Sequence, residues 1–313
     1  MRHANPEELF DRARAGERGP LARLLSLVER GGEPSRAVGR LAFPLAGSTH
    51  TVGITGAPGA GKSTLTNAVV GHMRSLDLPA AVLCIDPSSP FTGGAILGDR
   101  VRMGDHSLDA NVFIRSMATR GQLGGLALAT PGAVRVLDAV GYPWVLIETV
   151  GVGQVEVQIA GAADCTVVVV NPGWGDSVQA NKAGLMEIAD IFVINKADRP
   201  GVNDTRRDLD QMLELSQLGE WRPPIVATVA DRGDGAEQLW DAIIEHAEYL
   251  ERSGEGARRK ARRADDELRR LMVEEVLARA DERWDSPEGA KLRDAVAARE
   301  LDPYEAAATL MGQ

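Results

Sequence analysis

Cysteine is scarce. Two residues, Cys84 and Cys165, stand far apart in a chain of 313 residues, each inside an apolar run. That excludes a disulfide-stapled scaffold and fits two buried, reduced thiols. Histidine is scarce too: the five histidines are scattered and, taken with the cysteines, show none of the spacings of a Cys/His metal centre. No apolar run approaches the roughly 18 residues of a membrane span. The start, Met1-Arg2-His3-Ala4-Asn5, lacks the apolar core of a signal peptide. Positive charge is in deficit, with 35 Lys and Arg against 45 Asp and Glu and a formal net charge of −10. So acidic a chain is not expected to have nucleic acid or an anionic membrane as its main partner. A cytoplasmic, reducing location is the expectation.

The rest of the composition, 44% hydrophobic and 26% charged, is that of a soluble globular protein. The length suits one α/β domain of roughly 200 residues with smaller appendages. Residues 1–47 read as a helical extension. Leu21, Leu24, Leu25 and Val28 recur at the spacing of one helix face, and Gly31, Gly32 and Pro34 end it. Residues 48–250 alternate helical segments with short runs at His50–Thr55, Ala80–Asp86, Asn111–Ser116, Trp144–Thr149, Cys165–Asn171, Ile191–Asn195 and Pro224–Thr228. Most runs are apolar throughout, so both faces are buried, which implies a mostly parallel central sheet flanked by helices. Ligands of such sheets bind beyond the carboxyl ends of the strands.

Residues 251–313 read as a charged helical arm. Its basic cluster, Arg258-Arg259-Lys260-Ala261-Arg262-Arg263, is followed at once by Asp265, Asp266 and Glu267. It therefore reads as a solvated helix face rather than a nucleic-acid site. Leu268, Met272 and Val276 form an apolar stripe, to be covered by the main domain or by a second copy of the chain.

The chemistry concentrates in a few motifs. Gly56-Ala57-Pro58-Gly59-Ala60-Gly61-Lys62-Ser63, with Thr64 next, fits the phosphate-binding loop G-x-x-x-x-G-K-[ST] between a strand and a helix. Its glycines let backbone N–H groups curl around phosphates, and the helix N-terminus adds partial positive charge. Lys62 is expected to reach the β and γ phosphates and Ser63 to bind Mg²⁺. A phosphate-bound Mg²⁺ needs a carboxylate nearby. The candidates are Asp86, closing a strand; Asp99, in Gly98-Asp99-Arg100; and Glu148, where a Walker-B acid belongs. Lys62, Asp99 and Glu148 are the candidate catalytic residues. Glu148-Thr149-Val150-Gly151 also reads as a variant of the D-x-x-G switch, whose glycine amide senses the γ-phosphate.

The phosphate loop alone does not separate ATP from GTP. Asn195-Lys196-Ala197-Asp198, ending an apolar strand, does so as the N-K-x-D guanine motif. The Asp198 carboxylate accepts from guanine N1–H and the exocyclic amine. Adenine would leave that carboxylate unpaired, at a cost of several kcal/mol. The Lys196 stem lies along the base, and Thr228-Val229-Ala230 is a plausible last base-contact loop. Gln154 follows Gly151 only at the third position, so slow intrinsic turnover, accelerated by a partner or a dimer contact, is expected.

Together with Asp86-Pro87-Ser88-Ser89-Pro90, Gly98-Asp99-Arg100-Val101-Arg102-Met103 and Phe113-Ile114-Arg115-Ser116-Met117, these motifs closely resemble the MeaB/ArgK/MMAA GTPases, over roughly residues 20–245. The resemblance implies a P-loop GTPase that uses GTP/GDP and Mg²⁺. It also implies a G-protein chaperone that gates adenosylcobalamin loading into an acyl-CoA mutase, chiefly methylmalonyl-CoA mutase, and protects it from inactivation. A homodimer joined by a C-terminal helical arm is implied as well. The family's mutase-contacting loop corresponds to Pro172–Lys182 and on to Gly184. There Asp176, Gln179 and Lys182 match, while Ser177, Ala180, Asn181 and Ala183 depart and Trp174 is unusual. The departures leave a related client, such as isobutyryl-CoA mutase, open. The scarcity of Cys/His clusters argues against a metal-insertion GTPase, and Asn195–Asp198 against an ATP-dependent small-molecule kinase.

Overall fold

The computed structural model describes residues 5–86, 104–106, 108–118, 125–149, 162–173, 188–216 and 219–312. The chain divides into two compact units, Met1–Arg259 and Lys260–Gln313.

In the first unit, seven strands form one sheet: β1 (His50–Gly56), β2 (Ala80–Asp86), β3 (Val112–Ala118), β4 (Trp144–Thr149), β5 (Cys165–Val170), β6 (Ile191–Asn195) and β7 (Ile225–Thr228). The order across the sheet is β3-β2-β4-β1-β5-β6-β7, and every pairing is parallel. The apolar runs account for the strands directly. β5 reads CTVVVV and is buried at every position, as a strand covered on both faces must be.

The side chains of each strand divide between two faces. On one face Val52, Ile54, Val82, Cys84, Leu146 and Val167 pack against Leu65, Val69 and Met73 of α4 (Lys62–Ser75). Leu239, Trp240 and Ile243 of a C-terminal helix of the unit, Ala236–Arg252, join the same cluster. On the other face Ala81, Leu83, Ile85, Val145 and Ile147 meet α1 (Pro6–Arg14), α2 (Arg18–Arg30) and α3 (Gly32–Ala42). α5 (Gly125–Ala139) contributes Ala133, Val136 and Leu137 to that layer. Leu21, Leu24, Leu25 and Val28 are buried there, so the helix face read from the sequence is the face α2 turns to the sheet. Truncating Leu24, which is wholly buried, would remove about 2–5 kcal/mol. α6 (Val202–Leu215) covers β5 and β6 through Leu209 and Leu213. The helix Ala236–Arg252 is α7.

A buried carboxylate fixes the entry into β1. Asp138, near the end of α5, accepts from Ser48 Oγ at 2.9 Å and Thr49 N at 3.1 Å. That contact aims β1, and so the loop after it, at the carboxyl edge of the sheet.

α8 (Glu255–Trp284) begins in the first unit and continues into the second, which adds α9 (Pro287–Ala297) and α10 (Pro303–Met311). Ser286 caps α9 through Gly289 N, and Asp302 caps α10 through Tyr304 N and Glu305 N. The stripe of Leu268, Met272 and Val276 is exposed at 58%, 61% and 52%, and Leu271, Val273 and Leu277 beside it are exposed too. In the basic cluster Arg258 pairs with Glu255, and Arg259 pairs with Asp190 and Glu255. Among the described residues no helix is long and apolar enough to cross a membrane.

Candidate nucleotide-binding site

The loop Gly56–Ser63 joins the central strand to α4, at the carboxyl edge of the sheet. Two glycines are dictated by space. Gly56 has φ 136°, and a Cβ there would collide with the Val169 carbonyl of the neighbouring strand. Gly61 has φ 92°, and a Cβ there would strike the Asn195 amide. Gly56→Ala is therefore expected to destabilise the protein by at least about 2 kcal/mol. Urea denaturation measures this, and a midpoint equal to that of the wild type would contradict it.

No side chain caps the N-terminus of α4. Its first residue, Lys62, is only 7% exposed. The Lys62 ammonium donates to the carbonyls of Gly56 at 2.7 Å and Ala57 at 3.2 Å. A buried cation at the positive end of a helix is electrostatically unfavourable. An anion placed at the same point reverses the sign of that interaction, which makes the loop a receptor for phosphate.

Ser63 and Glu148 meet directly: the Ser63 hydroxyl donates to Glu148 Oε1. Glu148 is wholly buried near the end of β4, in register with Ile54 of β1 and Cys84 of β2. A carboxylate held there, beside a hydroxyl and a phosphate-receptive loop, is an all-oxygen donor set of the kind a hard divalent cation takes. Mg²⁺ is thus compatible with the residues present. Asp86 closes β2, which β4 separates from β1. Asp99 and Gly151 lie outside the described residues, as do Gln154, Trp174 and most of Pro172–Lys182.

The predicted base motif ends β6, and Thr228 is paired with Asn195 across β6 and β7. Asn195 ties three segments together. Its Oδ1 accepts from Thr228 Oγ1 at 3.1 Å and Ala230 N at 3.2 Å, and its Nδ2 donates to Ala60 O at 2.8 Å. Lys196, at φ 60°, reaches Gly59 O at 2.6 Å. Ala197 N donates to Thr228 O at 2.9 Å. Asp198 stands at the rim, its side chain 38% exposed, with Arg232 Nη2 at 3.4 Å. Val229 pairs with Asp234 across the turn that follows.

The fold therefore gathers Gly56–Ser63, Glu148, Asn195, Lys196, Asp198 and Thr228–Ala230 at one edge of the sheet, with Thr64 exposed on the first turn of α4. Sequence reading missed Asn171, whose Nδ2 donates to Gly59 O at 3.4 Å. Its position just past β5 was the one available signal. It also missed the Thr55 and Thr149 hydroxyls, 3.3 Å apart under the loop.

Comparison with known proteins agrees with this geometry. The family model described as "Methylmalonyl Co-A mutase-associated GTPase MeaB" matches residues 21–285. A Pyrococcus abyssi protein that carries a GTPase name is 49% identical over 306 residues, covering 96% of this chain and 94% of its own. GTPase ArgK of Escherichia coli is 37% identical over 288 residues, covering 88% and 86%. The crystal structure of a LAO/AO transport system kinase superposes with a TM-score of 0.72 at 28% identity, covering 100% of this chain and 98% of that one. Guanine-nucleotide binding follows from the family together with the two loops. The chain belongs to the MeaB family of methylmalonyl-CoA mutase-associated GTPases and is itself a GTPase.

Proposed function

We propose that this GTPase gates adenosylcobalamin loading into a cobalamin-dependent acyl-CoA mutase, methylmalonyl-CoA mutase first, and protects that enzyme from inactivation. The observation that carries the reading is the family match across residues 21–285, whose description names association with that mutase. The mouse relative named methylmalonic aciduria type A homolog, 36% identical over 234 residues, supports it. In this reading the main-chain amides of Gly56–Thr64 and the Lys62 ammonium hold the phosphates, and Asn195, Lys196, Asp198 and Thr228–Ala230 hold guanine. Ser63 and Glu148 hold Mg²⁺, with Asp86 and Asp99 as further carboxylates. The ion would neutralise charge on the phosphates.

Gly151 senses the γ-phosphate, and Asp99 and Glu148 act with Lys62 in hydrolysis. Residues 48–250 act as the GTPase domain, 1–47 as its helical extension and 251–313 as a dimerisation arm. The exposed stripe on α8 supports a homodimer, since an apolar patch of this kind marks an interaction surface. The acidic charge and scarce cysteine support a cytoplasmic location.

Intrinsic turnover is slow in this reading and rises when the client binds. GTP hydrolysis measured alone and with purified mutases is expected to accelerate by about tenfold or more with the true client. The departures at Ser177, Ala180, Asn181 and Ala183 make isobutyryl-CoA mutase the second enzyme to include. No acceleration by any cobalamin mutase would overturn the assignment.

A further inference from the structure

At the edge of the sheet opposite the nucleotide loops lies a second polar centre. Cys165 opens β5, Asp190 immediately precedes β6 and His246 projects from α7. One ligand-capable atom from each lies within 4.8 Å of the others, and all three residues are buried. His246 is 0% exposed, and neither of its ring nitrogens completes a hydrogen bond among the described residues. Its Nε2 stands 3.3 Å from Asp190 Oδ1. An imidazole buried this completely is ordinarily satisfied, so its orientation toward a thiol and a carboxylate calls for a partner. Trp221 packs edge-on against the ring at a centroid distance of 4.8 Å.

The charge at this centre is already balanced, by an arginine. Arg259, just inside α8, places Nη2 3.0 Å from Asp190 Oδ1 and Nη1 3.1 Å from Oδ2. Burial works to raise the Asp190 carboxyl, but the adjacent His246 and Arg259 more than offset it and hold it below the usual carboxylate range. Burial and the Asp190 charge push the Cys165 thiol well above its ordinary range, so in this state it keeps its proton. The centre thus contains one carboxylate, one guanidinium, a neutral thiol and an imidazole.

We propose that Cys165, Asp190 and His246 form a site for a borderline-soft divalent cation of the zinc class, which Arg259 closes when the ion is absent. Thiolate, imidazole and carboxylate are the ligands Zn²⁺ prefers, and three protein ligands leave a fourth position for water. Bond lengths of about 2.0–2.3 Å require the three groups to close by roughly 1 Å. Loading is an exchange: the Cys165 proton goes to solvent, the Arg259 guanidinium withdraws, and the ion takes the sulfur, a ring nitrogen and a carboxylate oxygen. Carboxylate with guanidinium is neutral, and so is a divalent ion with carboxylate and thiolate, so exchanging Arg259 and the Cys165 proton for the ion leaves these groups with no net charge. Arg259 does not leave to nothing, since Glu255 Oε1 is 3.5 Å from its Nε. The site involves neither the nucleotide nor a mutase, so it stands or falls apart from the proposed function.

The test is titration of tag-free, full-length protein with Co²⁺, followed by its thiolate charge-transfer absorption, and then with Zn²⁺ in competition. One equivalent per chain is expected. Cys165→Ser and His246→Gln are each expected to weaken binding by about a hundredfold. Arg259→Ala removes the competing cation and is expected to tighten it by about tenfold. GDP affinity, read at the far edge of the sheet, reports that each variant is folded. A wild-type protein that takes up no Co²⁺ or Zn²⁺, or a folded Cys165→Ser protein that binds as the wild type does, would overturn the site. Unchanged or weaker affinity in folded Arg259→Ala would overturn the exchange and leave Asp190 and Arg259 as an ion pair only.

Discussion

Lys62→Ala is expected to abolish measurable GTP hydrolysis, with a loss of at least about a hundredfold, as for other preorganised charges at a transition state. The reason is the placement of the ammonium. It is buried at the head of α4, donating to Gly56 O and Ala57 O, inside the loop proposed to receive phosphate. A lysine held there at electrostatic cost earns its place only when an anion arrives. The substitution should therefore leave the nucleotide-free protein about as stable as before, because lost hydrogen bonds and relieved repulsion oppose each other. It should also remove most of the thermal stabilisation conferred by GTP. The pair of melting curves, with and without nucleotide, separates this from simple misfolding. Wild-type hydrolysis, or a full GTP-induced shift in the variant, would sink the phosphate assignment.

Asp198→Asn is expected to weaken GTP binding by about a hundredfold or more and to create affinity for XTP. Guanine offers two donors, N1–H and the exocyclic amine, to one carboxylate. An asparagine keeps one acceptor but turns a donor toward that amine. Xanthine has a carbonyl where guanine has the amine, so the amide and xanthine match again. The Asp198–Arg232 contact is half in solvent, and its loss should cost under about 1 kcal/mol. The fold is thus expected to survive, and the readout is competition of GTP, ATP and XTP against labelled GDP. An unchanged preference for GTP over ATP would remove Asp198 from the base site.

The sheet was legible because its strands are buried on both faces. Continuous apolar runs such as Val167–Val170 and Ile191–Ile194 leave little room for another reading. Strand ends moved by one or two residues at β1, β3, β5 and β7, in the interior of the sheet as well as at its edges, because the apolar pattern does not mark where the ladder stops. Both candidate nucleotide loops were legible as motifs because such chemistry requires fixed spacing over a few residues. The bond between them was not. Asn195 Nδ2 on Ala60 O spans 135 positions, and no local pattern announces it. The same limit hid the cluster of Cys165, Asp190 and His246. Each residue reads singly as core or surface, and only the closing of three elements brings them together. The face of α2 was readable, but that it packs against β3 and α5 is a property of the tertiary arrangement.

The order of the strands carries a consequence for biosynthesis. β1 lies at the centre of the sheet, flanked by β4 and β5. Val52 is paired with Leu146 on one side and Cys165 on the other, roughly 90–110 residues later in the chain, a strongly non-local topology. A ribosome adding about 5–20 residues per second has exposed the strand His50–Gly56 for roughly 5–20 s before either neighbour emerges. The helices of residues 6–42 contact one another locally, but their contacts with α5 and β3 wait for residues 112–139. The nascent chain therefore carries β1 without any partner until β4 (Trp144–Thr149) is clear of the tunnel, and without its second partner until Val170 is. The candidate base-contact residues, Asn195–Asp198 and Thr228–Ala230, come later still, so guanine nucleotide is expected to have no complete receptor until synthesis has passed residue 230.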